Sequence, residues 1–162
     1  MKIRKFQISD YERILQLNEE SGHFLSPLTN DKLEGMISQS EMLNVIEVDG
    51  IVEAFILTLR EAKEYDSINY LWFSNHYDKF LYIDRVVVSL KMQGGGLGKV
   101  LYEHIFNYAK ETGVDYIAAE IDINPPNPGS LIFHEKFGFK EVGRQRVAGG
   151  KKLVSLQVVS LM

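Results

Sequence analysis

Apolar and polar positions alternate or recur at helical spacing along most of the chain, and they predict eleven elements. Ile3, Phe6 and Ile8 stand among polar neighbours and predict a short first strand. Ser9, with Glu12 three residues on, reads as a capping box that opens a helix. Tyr11, Ile14, Leu15 and Leu17 give that helix its apolar stripe to about Glu20. Residues 21–29, with Gly22 and Pro27, read as a loop. A second short helix over 31–39 places Leu33, Met36 and Ile37 on one face. Residues 43–48 and 51–59 are apolar strands, and Asp49-Gly50 between them is a strong hairpin signal.

Residues 60–79 break the pattern. They are polar, acidic and aromatic, and far longer than a hairpin needs, so they read as a long loop. A β-branched strand follows over 80–89, a glycine-rich turn over 91–98, and a helix over 97–112 ended by Gly113. Residues 116–123 form another strand. Pro125, Pro126 and Pro128 make 124–129 irregular. A short helix over 130–137 stops at Gly138. Strands over 139–147 and 151–161 meet in a second hairpin at Gly149-Gly150. The order β α α β β β α β α β β predicts one α/β domain over residues 1–162, a mixed sheet covered by helices.

The 162 residues carry a net charge of −4 and no cysteine. No global basic surface exists for nucleic acid, and a disulfide framework or cysteine nucleophile is excluded. No apolar run approaches the about 18 residues of a membrane span, and the first residues have no apolar signal-like stretch. A cytoplasmic protein without membrane association is the expectation. His23, His76 and His104 fall on separate elements without ligand spacing, so no metal site is expected. Ser89 and Ser130 have no adjacent base and do not read as nucleophiles.

The most informative stretch runs Val86-Val87-Val88-Ser89-Leu90-Lys91-Met92-Gln93-Gly94-Gly95-Gly96-Leu97-Gly98-Lys99. A strand enters a glycine turn that opens a helix. This order aims backbone N–H groups and the positive end of a helix dipole at one point, as a pyrophosphate requires. It is not a Walker A loop: Gln93 stands where the first glycine is needed, and Val100 follows Lys99. Nor is it the dinucleotide fingerprint, because Lys99 occupies the third glycine position when the motif starts at Gly94.

Gln93, Gly96 and Gly98 do fill the pattern Gln/Arg-x-x-Gly-x-Gly/Ala. The stretch resembles the coenzyme A pyrophosphate loop of the GNAT superfamily of N-acetyltransferases. A second stretch, Asn127-Pro128-Gly129-Ser130-Leu131-Ile132-Phe133-His134-Glu135-Lys136-Phe137-Gly138-Phe139, is similar to that family's second motif. The resemblance implies a mostly antiparallel central sheet flanked by helices, and acetyl transfer from acetyl-CoA to a small-molecule amine by direct attack in a ternary complex. A non-catalytic acyl-CoA sensor on the same fold is the alternative. Dimers are common among proteins of this family.

By position, the resemblance implies that backbone groups of Val86 and Val88 hold the pantetheine arm. The segment Gln93, Gly94, Gly95, Gly96, Leu97, Gly98 and Lys99 would hold the pyrophosphate. Asn127 and Ser130 would face the pantetheine or acetyl end. Two positions depart from the family. Gly94 and Gly95 replace residues that are often basic, leaving Lys91 or Lys99 to supply charge. His134 replaces a tyrosine thought to protonate the departing thiolate, a step that a histidine can also perform.

Tyr82, Asp84, Val86 and Val88 share one face of their strand by its period of two. Asp84 is the carboxylate of an otherwise apolar strand, and burial without a partner would raise its pKa towards use as a general base. Arg85 would point to the opposite face and is not expected to pair with it. Glu120 and Asp122 on the next strand are rivals for that role. Tyr65, Trp72 and Tyr82 are candidate acceptor contacts, since an acidic aromatic segment suits a cationic amine. The same aromatics could instead pack on the sheet or form a dimer contact.

Overall fold

A computed structural model describes residues 1–22 and 25–162. His23 and part of the expected 21–29 loop therefore lie outside the described residues. Seven strands form one mixed, mostly antiparallel sheet in the order β1-β2-β3-β4-β5-β7-β6, with helices flanking it. The elements are β1 (Lys2–Lys5), α1 (Tyr11–Glu20), α2 (Asn30–Gln39), β2 (Met42–Val48), β3 (Ile51–Arg60), α3 (Ile68–Ser74), β4 (Phe80–Val88), α4 (Leu97–Glu111), β5 (Tyr116–Asn124), α5 (Pro128–Lys136), β6 (Lys140–Val147) and β7 (Lys152–Ser160). No helix among the described residues is long and apolar enough to cross a membrane. Contacts divide the chain into two compact units, 1–59 with 83–108 and 60–82 with 109–162.

In the first unit, β1 and β3 flank β2 in antiparallel register, with Ile3 opposite Ile46 and Val45 opposite Phe55. The β2–β3 turn holds Asp49 at φ 53° and Gly50 at φ 78°, the two left-handed residues of a type I′ hairpin. From Val52 to Leu59 every residue of β3 is buried, including Glu53 and Thr58, so both faces of this strand are covered. Ile14 and Leu17 of α1, Leu33 and Met36 of α2, and Leu101 and Ile105 of α4 are buried in the same unit.

The helix start differs from expectation. Residues Ile8–Asp10 form a 3-10 turn, and α1 begins at Tyr11. Asp10, not Ser9, is the residue that precedes α1, but its carboxylate serves the 3-10 turn and not the helix: it accepts the Gln7 N–H at 2.8 Å and a bidentate contact from Arg4 at 2.8 and 2.9 Å. A guanidinium on β1 favours the carboxylate as its acceptor here.

In the second unit β5 pairs with β7, and β7 with β6, all antiparallel. β4 joins β5 in parallel at Phe80–Tyr116, Leu81–Ile117 and Tyr82–Ala118. The β6–β7 turn has left-handed Ala148, Gly149 and Gly150. The 60–79 segment is not a plain loop: it contains α3, whose start is capped by Ser67 Oγ accepting the Tyr70 N–H at 3.4 Å. Seven residues are too few for helical periodicity to stand out from an aromatic stretch. Helix α5 starts at Pro128, two residues earlier than expected, because proline is well suited to a first helical position.

Candidate functional site

In the first unit β4 runs into a glycine turn that opens α4. β4 ends at Val88, its neighbour Ser89 donating its N–H to the Glu53 carbonyl at 2.8 Å. A 3-10 turn over Leu90–Met92 then leads into the glycines. Gly94 and Gly96 adopt φ of 82° and 85°, conformations that a side chain disfavours. Gly95 is restricted differently: a Cβ there would lie 3.1 Å from the Met92 carbonyl. The first α4 bond runs from Val100 N–H to the Gly96 carbonyl at 3.1 Å. The amides of Leu97, Gly98 and Lys99 therefore belong to the unbonded first turn of a 15-residue helix. Such an end attracts phosphate-type anions.

The expected cationic support is unevenly placed. Lys91 Nζ lies 3.3 Å from the buried Glu53 carboxylate, which also takes Arg13 Nη2 at 2.8 Å. Lys99 is exposed in the first turn of α4. Gln93 is exposed, and its side-chain amide reaches only 3.5 Å from the Val88 carbonyl. Val86 and Val88 are half-buried around a buried Val87.

Asp84 and Arg85 correct the sequence reading. Arg85 Nε donates to Asp84 Oδ2 at 2.7 Å, and both side chains are 4% exposed. The strand's period of two separates their Cβ atoms, but an arginine is long enough to turn back along the strand. Arg85 also donates to Asn18 Oδ1 at 2.8 Å and meets Ser26 Oγ at 3.2 Å. Asp84 is thus part of a buried ion pair tied to α1, not an isolated carboxylate.

In the second unit Glu120 of β5 accepts the Tyr82 hydroxyl, whose oxygen lies 2.9 and 2.8 Å from the two carboxylate oxygens. Tyr82 is fully buried and Glu120 half-buried. Tyr70 stands edge-on to both Tyr82 and Tyr65, with centroids 5.6 and 5.5 Å apart. Tyr70 spends its own hydroxyl on the Arg60 carbonyl at 2.7 Å and the Lys63 N–H at 3.0 Å. Asp122 is buried and 3.3 Å from Lys152 Nζ. Trp72 packs against Gly143 of β6 and stacks on His76 at 3.8 Å. Those contacts favour the packing role for Trp72.

Asn127 caps α5, its side chain accepting the Ser130 N–H at 3.3 Å. His134, one turn on, is buried with Nδ1 2.7 Å from the Ser130 carbonyl. A carbonyl only accepts, so Nδ1 carries the proton and Nε2 of the neutral ring presents a lone pair. Burial holds the His134 pKa below the ordinary histidine value, with the Ser130 carbonyl opposing in part. Among the described residues no group of three or more His, Asp and Glu side chains is placed to hold a metal.

A family model of the acetyltransferase (GNAT) family matches residues 4–139, and the chain belongs to that family. Over 48 residues the chain is 44% identical to the probable N-acetyltransferase san of Drosophila melanogaster, a match spanning 29% of this chain and 25% of that relative. The chain thus covers about a quarter of that curated relative. Its fold matches Ard1 from Thermoplasma volcanium with a TM-score of 0.81 at 15% identity, covering 99% of this chain and 97% of that one. It also matches Arabidopsis thaliana Naa50 in complex with the bisubstrate analogue CoA-Ac-MVNAL, with a TM-score of 0.76 at 16% identity and coverage of 99% and 98%.

Proposed function

We propose that the protein transfers the acetyl group of acetyl-CoA to a primary amine, a small-molecule amine being the preferred acceptor. The observation that supports this most is the glycine turn feeding α4. Gly94 and Gly96 are left-handed, and the helix that follows begins with unbonded amides. In this reading the amides of 94–99 bind the pyrophosphate, Lys99 adds the exposed charge, and Val86 and Val88 present backbone to the pantetheine arm. Asn127 and Ser130 serve the cofactor through the start of α5.

Acetyl transfer needs the amine nitrogen to lose a proton as it bonds to the thioester carbonyl carbon, while the carbon–sulfur bond breaks and the thiolate takes up a proton. Among carboxylates for the first task, Asp84 is engaged by Arg85 and Asp122 by Lys152. Glu120, half-buried on β5 with the Tyr82 hydroxyl on its carboxylate, is the base in this reading. His134 can give a proton from Nε2 only as the imidazolium, because the neutral ring holds its proton at Nδ1.

The test is a thermal-shift titration with acetyl-CoA, ATP and NAD, joined to thiol release with small amines and with peptides bearing a free N-terminus. Acetyl-CoA at about 100 times its Kd should stabilise by about 2.7 kcal/mol. Gly96→Asp should remove that shift by placing a carboxylate at the anion site. Binding without thiol release from any amine would favour the sensor alternative. Release with peptides alone would overturn the small-amine acceptor.

A further inference from the structure

A concavity lies in the first unit, where α1 and α2 begin. Tyr11 donates its hydroxyl to the Asn30 carbonyl at 2.6 Å, joining the two helix starts. Beside that bond is a pocket of about 470 Å³ whose lining includes Phe6, Ile8, Tyr11, Glu34 and Ile37. This volume falls within the roughly 300–1,000 Å³ typical of small-molecule sites.

The lining follows from helix geometry. Leu33 and Met36 turn into the core, while Asn30, Glu34 and Ile37 recur at i, i+4 and i+7 on a neighbouring stripe. Ile8 sits on the 3-10 turn with 86% of its surface exposed, an apolar side chain at the pocket wall. The Phe6 and Tyr11 rings stand 6.3 Å apart at 58° and supply two aromatic surfaces.

The charge of this pocket has one sign. Glu34 is the charged residue of the lining, and Asp31 lies on the same helix. The Tyr11 phenol is held above its ordinary value by burial and then by the Glu34 and Asp31 carboxylates. Arg4 is engaged with Asp10 and Glu47, and Lys32 Nζ lies 3.4 Å from Ser26 Oγ. Apolar walls, aromatic faces and a carboxylate are the features that recognise an organic cation.

We propose that this pocket binds a small organic cation with an apolar body, of the aralkylammonium or quaternary ammonium class. The body lies against Ile8, Ile37 and Phe6, and the cationic head meets the Tyr11 ring and Glu34. The site is separate from the Asp84–Arg85 pair. Asn18, which receives Arg85, is seven residues further along α1, roughly 10 Å down its axis. The inference does not depend on acetyl transfer.

Benzyltrimethylammonium is a suitable probe, since it has no N–H to acetylate. Its titration into the full chain should shift the isoleucine methyl resonances of Ile8 and Ile37 saturably, and calorimetry should give the affinity. Glu34→Gln should weaken binding roughly five-fold, and Ile8→Ser should weaken it further. Both side chains are exposed, so folding is spared. Equal binding of neutral benzyl alcohol would overturn the proposal, as would saturation without movement of the two methyl groups. A dimer in light scattering that Ile8→Ser splits into monomers would assign the face to a second copy of the chain instead.

Discussion

Glu120 receives the Tyr82 hydroxyl across both of its carboxylate oxygens, at 2.9 and 2.8 Å. The base in our reading is thus oriented by a neutral donor from the neighbouring strand. Glu120→Gln keeps an oxygen acceptor for Tyr82 but removes the proton acceptor. We expect kcat to fall by about 10²–10⁴, with partial recovery at high pH where free amine is abundant. Acetyl-CoA affinity should change little. Tyr82→Phe should cost less, because it disturbs orientation and not proton uptake. A wild-type pH–rate profile in Glu120→Gln, in an assay limited by chemistry, would remove Glu120 from the mechanism.

His134 gives a pH signature with a definite sign. Its folded-state pKa lies below the unfolded value of about 6.5, chiefly through burial. The unfolded chain therefore binds a proton first as pH falls. The stability contribution of the neutral, buried ring is full above pH of about 6.5 and is lost as pH drops through the folded-state pKa. A His134→Gln variant should show a shallower acid limb in a melting-temperature profile as pH falls below about 6.5. If His134 is also the acid for the thiolate, its share of kcat should rise on the acid side of neutrality. An identical acid limb in wild type and variant would contradict the buried neutral state.

Arg85 is a buried cation whose removal leaves Asp84 without its guanidinium. Arg85→Met should destabilise by about 3–5 kcal/mol, the range for breaking one side of a buried ion pair. Arg85→Met with Asp84→Asn should recover part of that loss, since the uncompensated charge is gone. Urea denaturation of the two single variants and the double variant measures the coupling. Additive losses would mean that Arg85 stabilises through Asn18 and Ser26 rather than through Asp84.

Gly143 is where α3 and β6 meet. A Cβ there would approach Trp72 to 2.7 Å, so Gly143→Ala forces the indole to shift. Overpacking of this kind costs about 1–3 kcal/mol. Trp72→Leu combined with Gly143→Ala should relieve part of it, while Trp72→Leu alone opens a void. Thermal melts of the three variants decide the matter, and a fully stable Gly143→Ala would show that Trp72 has room to move. If Trp72 instead contacts the acceptor, its replacement should raise KM for the amine more than KM for acetyl-CoA.

The amino-acid order alone determined the features that depend on near neighbours. Asp49-Gly50 and Gly149-Gly150 marked their turns because left-handed backbone suits those residues. The 86–101 stretch announced a strand, a glycine turn and a helix, since period two gives way to period 3.6 across the glycines. That same stretch, with 127–139, carried the family resemblance that the family match supports. Tertiary structure decided the partners. Arg85 turned back onto Asp84, the Asp10 carboxylate turned to Gln7 and to Arg4 of β1 instead of capping α1, and α3 formed where its aromatic face found Gly143 and Tyr82. Side-chain reach and packing between segments distant in sequence settle such pairings, and no local pattern of apolar and polar residues encodes them.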